Sequence, residues 1–487
     1  MSMKRLLLLT LTLSALYLPL AGLAQEKWDL RRCVEYAVAN NISVKQADVQ
    51  ARLAKLTLEQ SQWSQIPTLS LGTQLGMRAG NTQNPNTFAL STSAYALNNY
   101  QVQSGVTAFN FFSIRNTIEA NRLSWEASLA NSDKTKNDIS LNVANAYLQV
   151  LLAIEQTEIA LSQLHLSQNQ LEITRKQVKA GALPELNAAE LEAQAAQDSA
   201  TYINAKGTII QDILQLKAYM GMDASVPFDA YTPPVEEIPI ENIADLQPEA
   251  VYALALANQP LQRMDALNIA SQRKNVDANR GAMYPTFSIV GQLGSSWISN
   301  YKLPDQLHPY IDATTPIIPL LTLHATGAQT TFYQDNVQYP LVTQRYFKQL
   351  NTTFSQFIGL NINVPILNNG TLRINYAKSK LNLRNQELQR DQDNLTLKQN
   401  IYQAYTAAIT ALQKFEANKI SVTATTKSYE YADKRYKVGM LNTVDLLTNQ
   451  NNLAIARTNL TSSQFDYVFK MKVLEYYKGL GIKLTKQ

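Results

Sequence analysis

The sequence predicts a mainly helical fold that is built twice over and that includes four short β-strands able to cross a membrane. Three observations predict it. Segments of the first half recur in the second half in the same order. Four stretches, each about 10 residues long, alternate apolar and polar side chains, the second of them less cleanly, which is the pattern of a half-exposed strand. Long stretches also carry apolar residues every seven positions, which indicates helices that pair as coiled coils.

The composition excludes several classes of function. The chain has 487 residues, and its 43 Lys and Arg nearly balance its 38 Asp and Glu. A net charge of +5 argues against nucleic acid as a partner, because such a partner selects a concentrated basic face. One Cys and three scattered His exclude a disulfide framework and a clustered zinc site. No nucleophile–base pair, phosphate-binding loop or metal motif is present, so we expect no enzyme activity, cofactor or metal.

Residues 1–24 have the pattern of a secretory signal peptide. Lys4 and Arg5 form a charged start, an apolar run follows, and small residues end the segment at Ala24. A membrane anchor is the rival interpretation, and Pro19 together with the small-residue end argues against it. No later stretch has the roughly 20 apolar residues of a membrane helix. The mature chain is therefore expected in the periplasm, in the outer membrane or outside the cell.

The remaining sequence divides into two repeats. Pro67 and Pro285 begin the matching segments PTLSLGTQLG and PTFSIVGQLG, 218 positions apart, whereas Gly181 and Gly439 are 258 positions apart. The second repeat is therefore 40 residues longer, and the extra residues lie between its two strands. The predicted parts are a first repeat, 25–222, a Pro-rich linker, 223–248, and a second repeat, 249–487.

Each repeat is expected to hold two strands and a long helical stretch that breaks once, near 181 or 439. The predicted strands are 68–78, 100–110, 286–297 and 354–365. Their apolar faces suit a membrane strand, and also an ordinary sheet packed on a core. The helical seam formed by Ile374, Leu381 and Leu388 is narrow, and much polar surface surrounds it, which suits the wall of a hollow tube. Strands in lipid cannot leave open edges, so other copies of the chain must complete them.

The whole mature chain, from WDLRRCVEYAVANN to YYKGLGI, resembles the TolC family of outer-membrane factors, also called outer membrane efflux proteins. The resemblance rests on the duplication, the order of elements and the two glycine-marked breaks together. It implies a homotrimer with a 12-stranded transmembrane β-barrel, four strands from each copy, and a long coiled-coil α-barrel. It also implies a channel in the lipid of a Gram-negative outer membrane that extends into the periplasm. The partners it implies are a periplasmic adaptor (membrane fusion) protein and an inner-membrane pump or ABC exporter.

By this resemblance, the two breaks are helix turns that contact the adaptor. The contact residues are Ala180, Gly181 and Ala182 in the first repeat and Val438, Gly439 and Met440 in the second. We expect both glycines to adopt the left-handed conformation that ends a helix. Asn442 or Thr443 can cap the helix that follows. A plain turn between helices is the simpler interpretation, and the contact would add to it.

The resemblance also points to a pore gate formed by Asp445, Tyr436 and Asn187. Asp445 would contribute one carboxylate from each copy to a ring that narrows the closed pore; its alternative role is to favour a helix start through the helix dipole. Tyr436 matches a latch tyrosine, and Asn187 stands where the family has an aspartate, so their hydrogen bond is expected to be weaker. Thr448 and Leu441 replace a second acidic residue and a basic latch residue, so we expect a gate held by fewer charges.

The predicted function is export, and the sequence leaves the cargo open. Efflux of drugs or other small molecules is favoured, and a type I protein secretion conduit is the alternative. A periplasmic structural coiled coil that never enters the membrane is a third interpretation. The extra residues of the second repeat are expected at the outer face of the membrane, either as an elongated loop or as a plug or surface contact.

Overall fold

A computed structural model describes residues 27–83, 88–232, 241–311, 318–325, 328–334 and 337–479. The predicted signal peptide and residues 233–240 of the predicted linker lie outside the described residues. The described chain forms two compact units. The first unit contains the residues up to Thr57, Ala120–Arg273 and the residues from Leu381 onward, and the second contains Leu58–Glu119 and Lys274–Lys380.

Helices make up most of the described chain, which confirms the mainly helical prediction. The α-helices are α1 (Leu30–Asn40), α2 (Ile42–Trp63), α3 (Ser113–Lys179), α4 (Glu185–Met220), α5 (Pro248–Asn258), α6 (Pro260–Gly281), α7 (Tyr346–Thr352), α8 (Thr371–Lys437) and α9 (Thr443–Tyr477). The strands are β1 (Thr68–Gln83), β2 (Leu90–Phe109), β3 (Thr286–Ile298), β4 (Lys302–Pro304), β5 (Tyr310–Ile311), β6 (Ile318–Ala325), β7 (Ala328–Gln334), β8 (Val337–Gln338), β9 (Leu341–Thr343) and β10 (Ser355–Asn363). None of the described helices is both long enough and apolar enough to cross a membrane.

The helices of the two halves match in length and position. Helices α1 and α5 each have 11 residues, α2 and α6 each have 22, and α3 and α8 each have 67. Each pair begins at the same offset that relates the sequence anchors, 218 for the first two pairs and 258 for the third. The same series of helices therefore occurs twice in the chain.

The second unit contains an antiparallel sheet in the order β1–β2–β3–β10. Strand β1 pairs with β2, so that Thr68 lies opposite Gly105, and β3 pairs with both β2 and β10. Strands β1 and β10 are the edges, and among the described residues no further strand pairs with either edge. The sheet therefore ends in two rows of backbone groups without strand partners.

One face of this sheet is apolar and the other is polar. The register places Leu69, Leu71, Leu75, Met77, Ile289, Leu293, Ile358 and Leu360 on one face. All eight of these side chains are exposed. The opposite face carries Ser70, Gln74, Gln101, Gln103, Gln292 and Ser355. A β-bulge after Thr107 shifts the register by one residue and pairs Phe109 with Phe287 of the apolar face.

Between β3 and β10 the chain forms three nested strand pairs, β4–β9, β5–β8 and β6–β7. Their registers converge on the pair Ala325–Ala328, as in one long hairpin. We call the segment from Lys302 to Thr343 the hairpin arm. Helix α7 follows it and packs on the sheet, where Tyr346 hydrogen-bonds with Tyr100 at 2.8 Å. Within the described part of the extra residues, these three strand pairs are extended structure.

The first unit contains a row of helices in the order α2, α3, α6, α8. Lys136 of α3 pairs with Asp48 of α2 at 3.5 Å. Ser271 of α6 donates a hydrogen bond to the carbonyl of Ala120 on α3 at 2.8 Å. Arg273 of α6 lies 3.9 Å from Glu387 of α8. Helices α2 and α8 are therefore the two ends of this row.

The seven-residue series are buried on α9 but exposed on α8. Leu446 and Leu474 of α9 are fully buried. On α8, by contrast, Leu381, Leu388 and Leu395 are 69%, 51% and 66% exposed. The period alone predicted coiled-coil packing for both helices. On α8 the apolar series lies on a side that no part of the described chain covers.

Candidate functional site

The first candidate contact turn joins α3 to α4. Gly181 has a φ of 76°, and its amide donates to the carbonyl of Val178 at 2.9 Å. The amide of Ala182 donates to the carbonyl of Gln177, also at 2.9 Å, which completes a left-handed helix ending. Ala180, Gly181 and Ala182 are all exposed. The turn therefore presents only backbone and methyl groups to solvent.

The second turn, between α8 and α9, has the same backbone and larger side chains. Gly439 also has a φ of 76°, and the amide of Met440 donates to the carbonyl of Arg435 at 2.8 Å. Asn442 caps α9 by accepting a hydrogen bond from the amide of Asp445 at 2.8 Å. Val438 and Met440 are 66% and 71% exposed. This turn therefore presents two apolar side chains where the first presents methyl groups.

The structure places the predicted gate residues next to these turns. Tyr436 lies in the last turn of α8, Asp445 in the first turn of α9 and Asn187 in the first turn of α4. Asp445 is exposed. Its backbone carbonyl accepts a hydrogen bond from Asn449 at 2.8 Å. No cation among the described residues pairs with its carboxylate.

Tyr436 bonds to a partner that the sequence analysis did not identify. Its hydroxyl lies 3.3 Å from the hydroxyl of Thr174 on α3, whereas the expected partner was Asn187. Two turns earlier on α8, the Tyr429 hydroxyl accepts a hydrogen bond from Gln170 of α3 at 3.2 Å. The two tyrosines are seven residues apart and face one helix, and this spacing is the signal that could have revealed the contact. Together these two tyrosines connect α3 to α8 close to the two interhelix turns.

Amide side chains also connect α4 to α9. Gln194 donates to the side-chain oxygen of Asn451 at 3.2 Å. Between α3 and α4, Arg175 pairs with Glu192 at 2.9 Å. These contacts are polar and mostly uncharged, so their net contribution to stability is about 1 kcal/mol each. Water can therefore replace these contacts between α4 and α9 and between α3 and α4 at a small cost in free energy.

The described residues contain neither a metal-binding cluster nor a reactive thiol. Among the described residues, no group of three or more His, Cys, Asp or Glu could hold a metal ion. Cys33, the single cysteine, is buried, and burial raises the pKa of its thiol to about 12. That thiol is therefore protonated at neutral pH and is a poor nucleophile.

Aromatic side chains cluster at both ends of the four-stranded sheet. At one end the ring of Phe111 contacts the rings of Phe109 and Tyr284. At the other end the ring of Tyr346 lies 5.4 Å from that of Trp297. The apolar face of the sheet lies between the two clusters. This arrangement is typical of a surface whose middle is in hydrocarbon and whose ends are at membrane interfaces.

Comparisons with known proteins agree with one another. A family model described as outer membrane efflux protein matches residues 34–222 and 251–468. The CmeC outer membrane channel of Campylobacter jejuni is 16% identical, with a TM-score of 0.72 over 94% of this chain and 87% of that chain. The MtrE outer membrane channel of Neisseria gonorrhoeae is 17% identical, with a TM-score of 0.69 over 94% and 90%.

The outer membrane protein VceC of Vibrio cholerae is 14% identical, with a TM-score of 0.70 over 93% of this chain and 97% of that chain. At these identities the likeness shows a shared fold. No curated protein matches this chain.

Proposed function

Because the chain belongs to the outer membrane efflux protein family, we propose that it is the outer-membrane channel of a tripartite export system. Proteins of this family are channels rather than enzymes. The observation that carries the proposal is the exposed apolar face of the sheet between its two aromatic clusters. A soluble protein would bury such a face, whereas lipid covers it at no cost.

The height of this face fits a membrane. Phe287 and Trp297 lie on the apolar face of β3, one at each end, ten residues apart. Ten residues of strand span about 33 Å, which is about 25 Å along the membrane normal at a tilt of about 40°. The apolar band of an outer-membrane barrel is also about 25 Å tall.

The two edges of the sheet support an assembly of several copies. In hydrocarbon each unpaired backbone group of β1 and β10 would cost several kcal/mol. Pairing β1 of one copy with β10 of the next removes both edges. We propose three copies and hence a barrel of twelve strands, as in the family.

The ends of the helix row support the same assembly. On α2, the apolar side chains Ile42, Val49 and Leu56 are exposed at seven-residue spacing. The exposed series on α8, which includes Leu388, has the same spacing at the other end of the row. Two different surfaces that fit each other in neighbouring copies produce a closed ring. In this ring α8 of one copy packs on α2 of the next as a coiled coil.

The two turns are the proposed docking surface for a periplasmic adaptor that links the channel to an inner-membrane pump or ABC exporter. Val438 and Met440 offer exposed apolar side chains, and Gly181 with its neighbours offers a flat backbone surface. Asp445, Tyr436 and Asn187 are the proposed gate. The contact between Tyr436 and Thr174 supports a latch role, because it ties α3 to α8 beside the turn.

Efflux of drugs or other small molecules is the favoured cargo class, and type I protein secretion is the alternative. The similar structures include CusC, which is described with "transmembrane channel formation", and the outer membrane channels CmeC and MtrE. These similarities support a channel over a periplasmic structural coiled coil. They do not distinguish between the two cargo classes.

In-cell photocrosslinking from Met440 tests the proposal. We expect a crosslinker at Met440 to capture an adaptor and its pump from outer-membrane fractions. The matched control is a crosslinker at Ile420, which is also exposed on α8 but lies far from the turn, and which should capture neither. Recovery of the chain in the soluble periplasmic fraction would refute the channel. Capture of nothing but other copies from Met440 would refute the docking surface.

A further inference from the structure

The four-stranded sheet contains a single charged side chain. Strands β1, β2, β3 and β10 consist of apolar, amide, hydroxyl and glycine residues, with Arg78 of β1 as the exception. No Asp, Glu or Lys occurs in any of the four strands. Because the four strands contain no carboxylate, Arg78 has no ion-pair partner within them. Its position therefore needs a separate explanation.

The register shows which face carries Arg78. It lies four residues from Gln74 on the same strand and directly opposite Tyr95 of β2. Because side chains alternate along a strand, Arg78 shares the polar face with Gln74, whereas Met77 points to the apolar face. The guanidinium group therefore does not face lipid.

The charge of Arg78 is uncompensated. The side chain is exposed, and no carboxylate of the described residues pairs with it. Leu75 lies opposite Asn98 of β2, and Asn98 lies opposite Trp297 of β3, so Leu75 and Trp297 are at the same level of the sheet. Arg78 is three residues further along β1. Three residues of strand correspond to about 10 Å. Arg78 thus lies just past the aromatic cluster, at the end of the sheet from which the hairpin arm emerges.

We infer that Arg78 makes the outer exit of the channel selective for anionic solutes. The inference rests on the proposed function, because only a closed barrel turns the polar face into a lumen wall. Three copies then place three guanidinium groups at one level. A ring of arginines is the usual device of pores that favour anions.

The size of the effect follows from the dimensions of the barrel. A barrel of twelve strands, with about 4.8 Å between strands and a tilt of about 40°, has a backbone radius of about 12 Å. Side chains that reach inward bring the charges to about 8 Å from the axis, which is one Debye length at about 0.15 M salt. Three such charges enrich a monovalent anion on the axis about threefold. The other residues of the four strands are neutral, so no strand residue opposes this enrichment.

The test is the reversal potential of the purified full-length protein in planar bilayers under a KCl gradient. We expect Arg78→Gln to lower the ratio of chloride to potassium permeability at least twofold, and Arg78→Glu to lower it further. Arg78→Lys should keep the wild-type ratio. Lys348→Gln removes the same charge from α7, which packs against the apolar-face residue Trp297, and should leave the ratio unchanged.

Each variant is also measured in combination with Asp445→Asn, so that the proposed ring of Asp445 carboxylates does not dominate the measured permeability ratio. The effect of Arg78→Gln should shrink at about 1 M salt, where screening shortens to about 3 Å. Conductance with the same permeability ratio in wild type and Arg78→Gln would overturn the inference and leave the channel intact. Absence of any conductance in every variant, wild type included, would overturn the proposed function instead.

Discussion

Asp265 on α6 is predicted to weaken the fold at neutral pH. It is 1% exposed, and its carboxyl group faces that of Asp393, with no hydrogen-bond donor from another described residue. Burial, followed by the nearby carboxylate of Asp393 on α8, raises the pKa of Asp265 from 3.8 to about 6, against the opposing charge of Arg390. The equivalent position of the first repeat, 218 residues earlier, holds the buried residue Ala47. We therefore expect Asp265→Ala to stabilise the protein at neutral pH.

The pH dependence follows from the direction of this shift. Between pH 3.8 and about pH 6 the folded state binds more protons at Asp265 than the unfolded state does, so stability falls as the pH rises. The rise of the pKa of Asp265 from 3.8 to about 6 corresponds to about 3 kcal/mol. This is the largest gain expected from Asp265→Ala above about pH 6, before the loss of side-chain packing is subtracted. The gain should vanish near pH 4.

Thermal unfolding followed by far-ultraviolet circular dichroism measures both effects. Asp48→Ala is the matched control, because its effect on stability is expected to have the opposite sign. The hydrogen bond from Ser132, and then the charge of Lys136, lower the pKa of Asp48, so its carboxylate stabilises the fold at neutral pH and loses this effect as the pH falls. The reasoning would be refuted if Asp265→Ala had a lower melting temperature than wild type at neutral pH. It would also be refuted if the difference in melting temperature were the same at every pH.

Three further predictions concern the turn and the assembly. Tyr436→Phe removes the hydroxyl that ties α8 to α3 and should raise single-channel conductance; unchanged conductance would remove Tyr436 from the gate. Both Gly439 and Gly207 have open space for a methyl group, so their Ala variants differ only in backbone conformation. Gly439→Ala should lower the free energy of unfolding by about 1 kcal/mol because of the positive φ at Gly439, whereas Gly207→Ala inside α4 should stabilise the protein slightly; thermal unfolding measures both. Leu388→Asp should abolish the trimer on native gels, while Gln392→Glu, an exposed control on α8, should not; a trimer that survives Leu388→Asp would contradict the proposed ring.

Local signals in the sequence located the helix ends closely. Gly181 and Gly439 both have a positive φ, and Asn442 caps α9, because these residue types satisfy the backbone groups that a helix end leaves open. Strand ends were harder to place. Strand β2 begins at Leu90, whereas its predicted start was 100, and β1 extends to Gln83, whereas its predicted end was 78. Apolar–polar alternation weakens beyond the apolar band between the two aromatic clusters, although the backbone pairing of β1 with β2 continues.

Long-range partners could not be read from the sequence. A seven-residue period predicts that a helix packs along one side, but it does not say which helix covers that side. This is why Leu446 is buried within the chain while Leu388, with the same spacing, is exposed. The contact of Tyr436 with Thr174 joins residues 262 positions apart. The seven-residue spacing of Tyr429 and Tyr436 indicates that they share a face of α8, but it does not name the helix that this face meets.

The hairpin arm offers a way to re-engineer the chain. Its three strand pairs are nested, so Pro304 lies opposite Leu341 at the base and Ala325 lies opposite Ala328 at the far end. The β5–β8 and β6–β7 pairs can therefore be removed together without changing the register of β4–β9. A short turn that joins Pro304 to Leu341 would remove most of the arm and leave the β4–β9 pair in place.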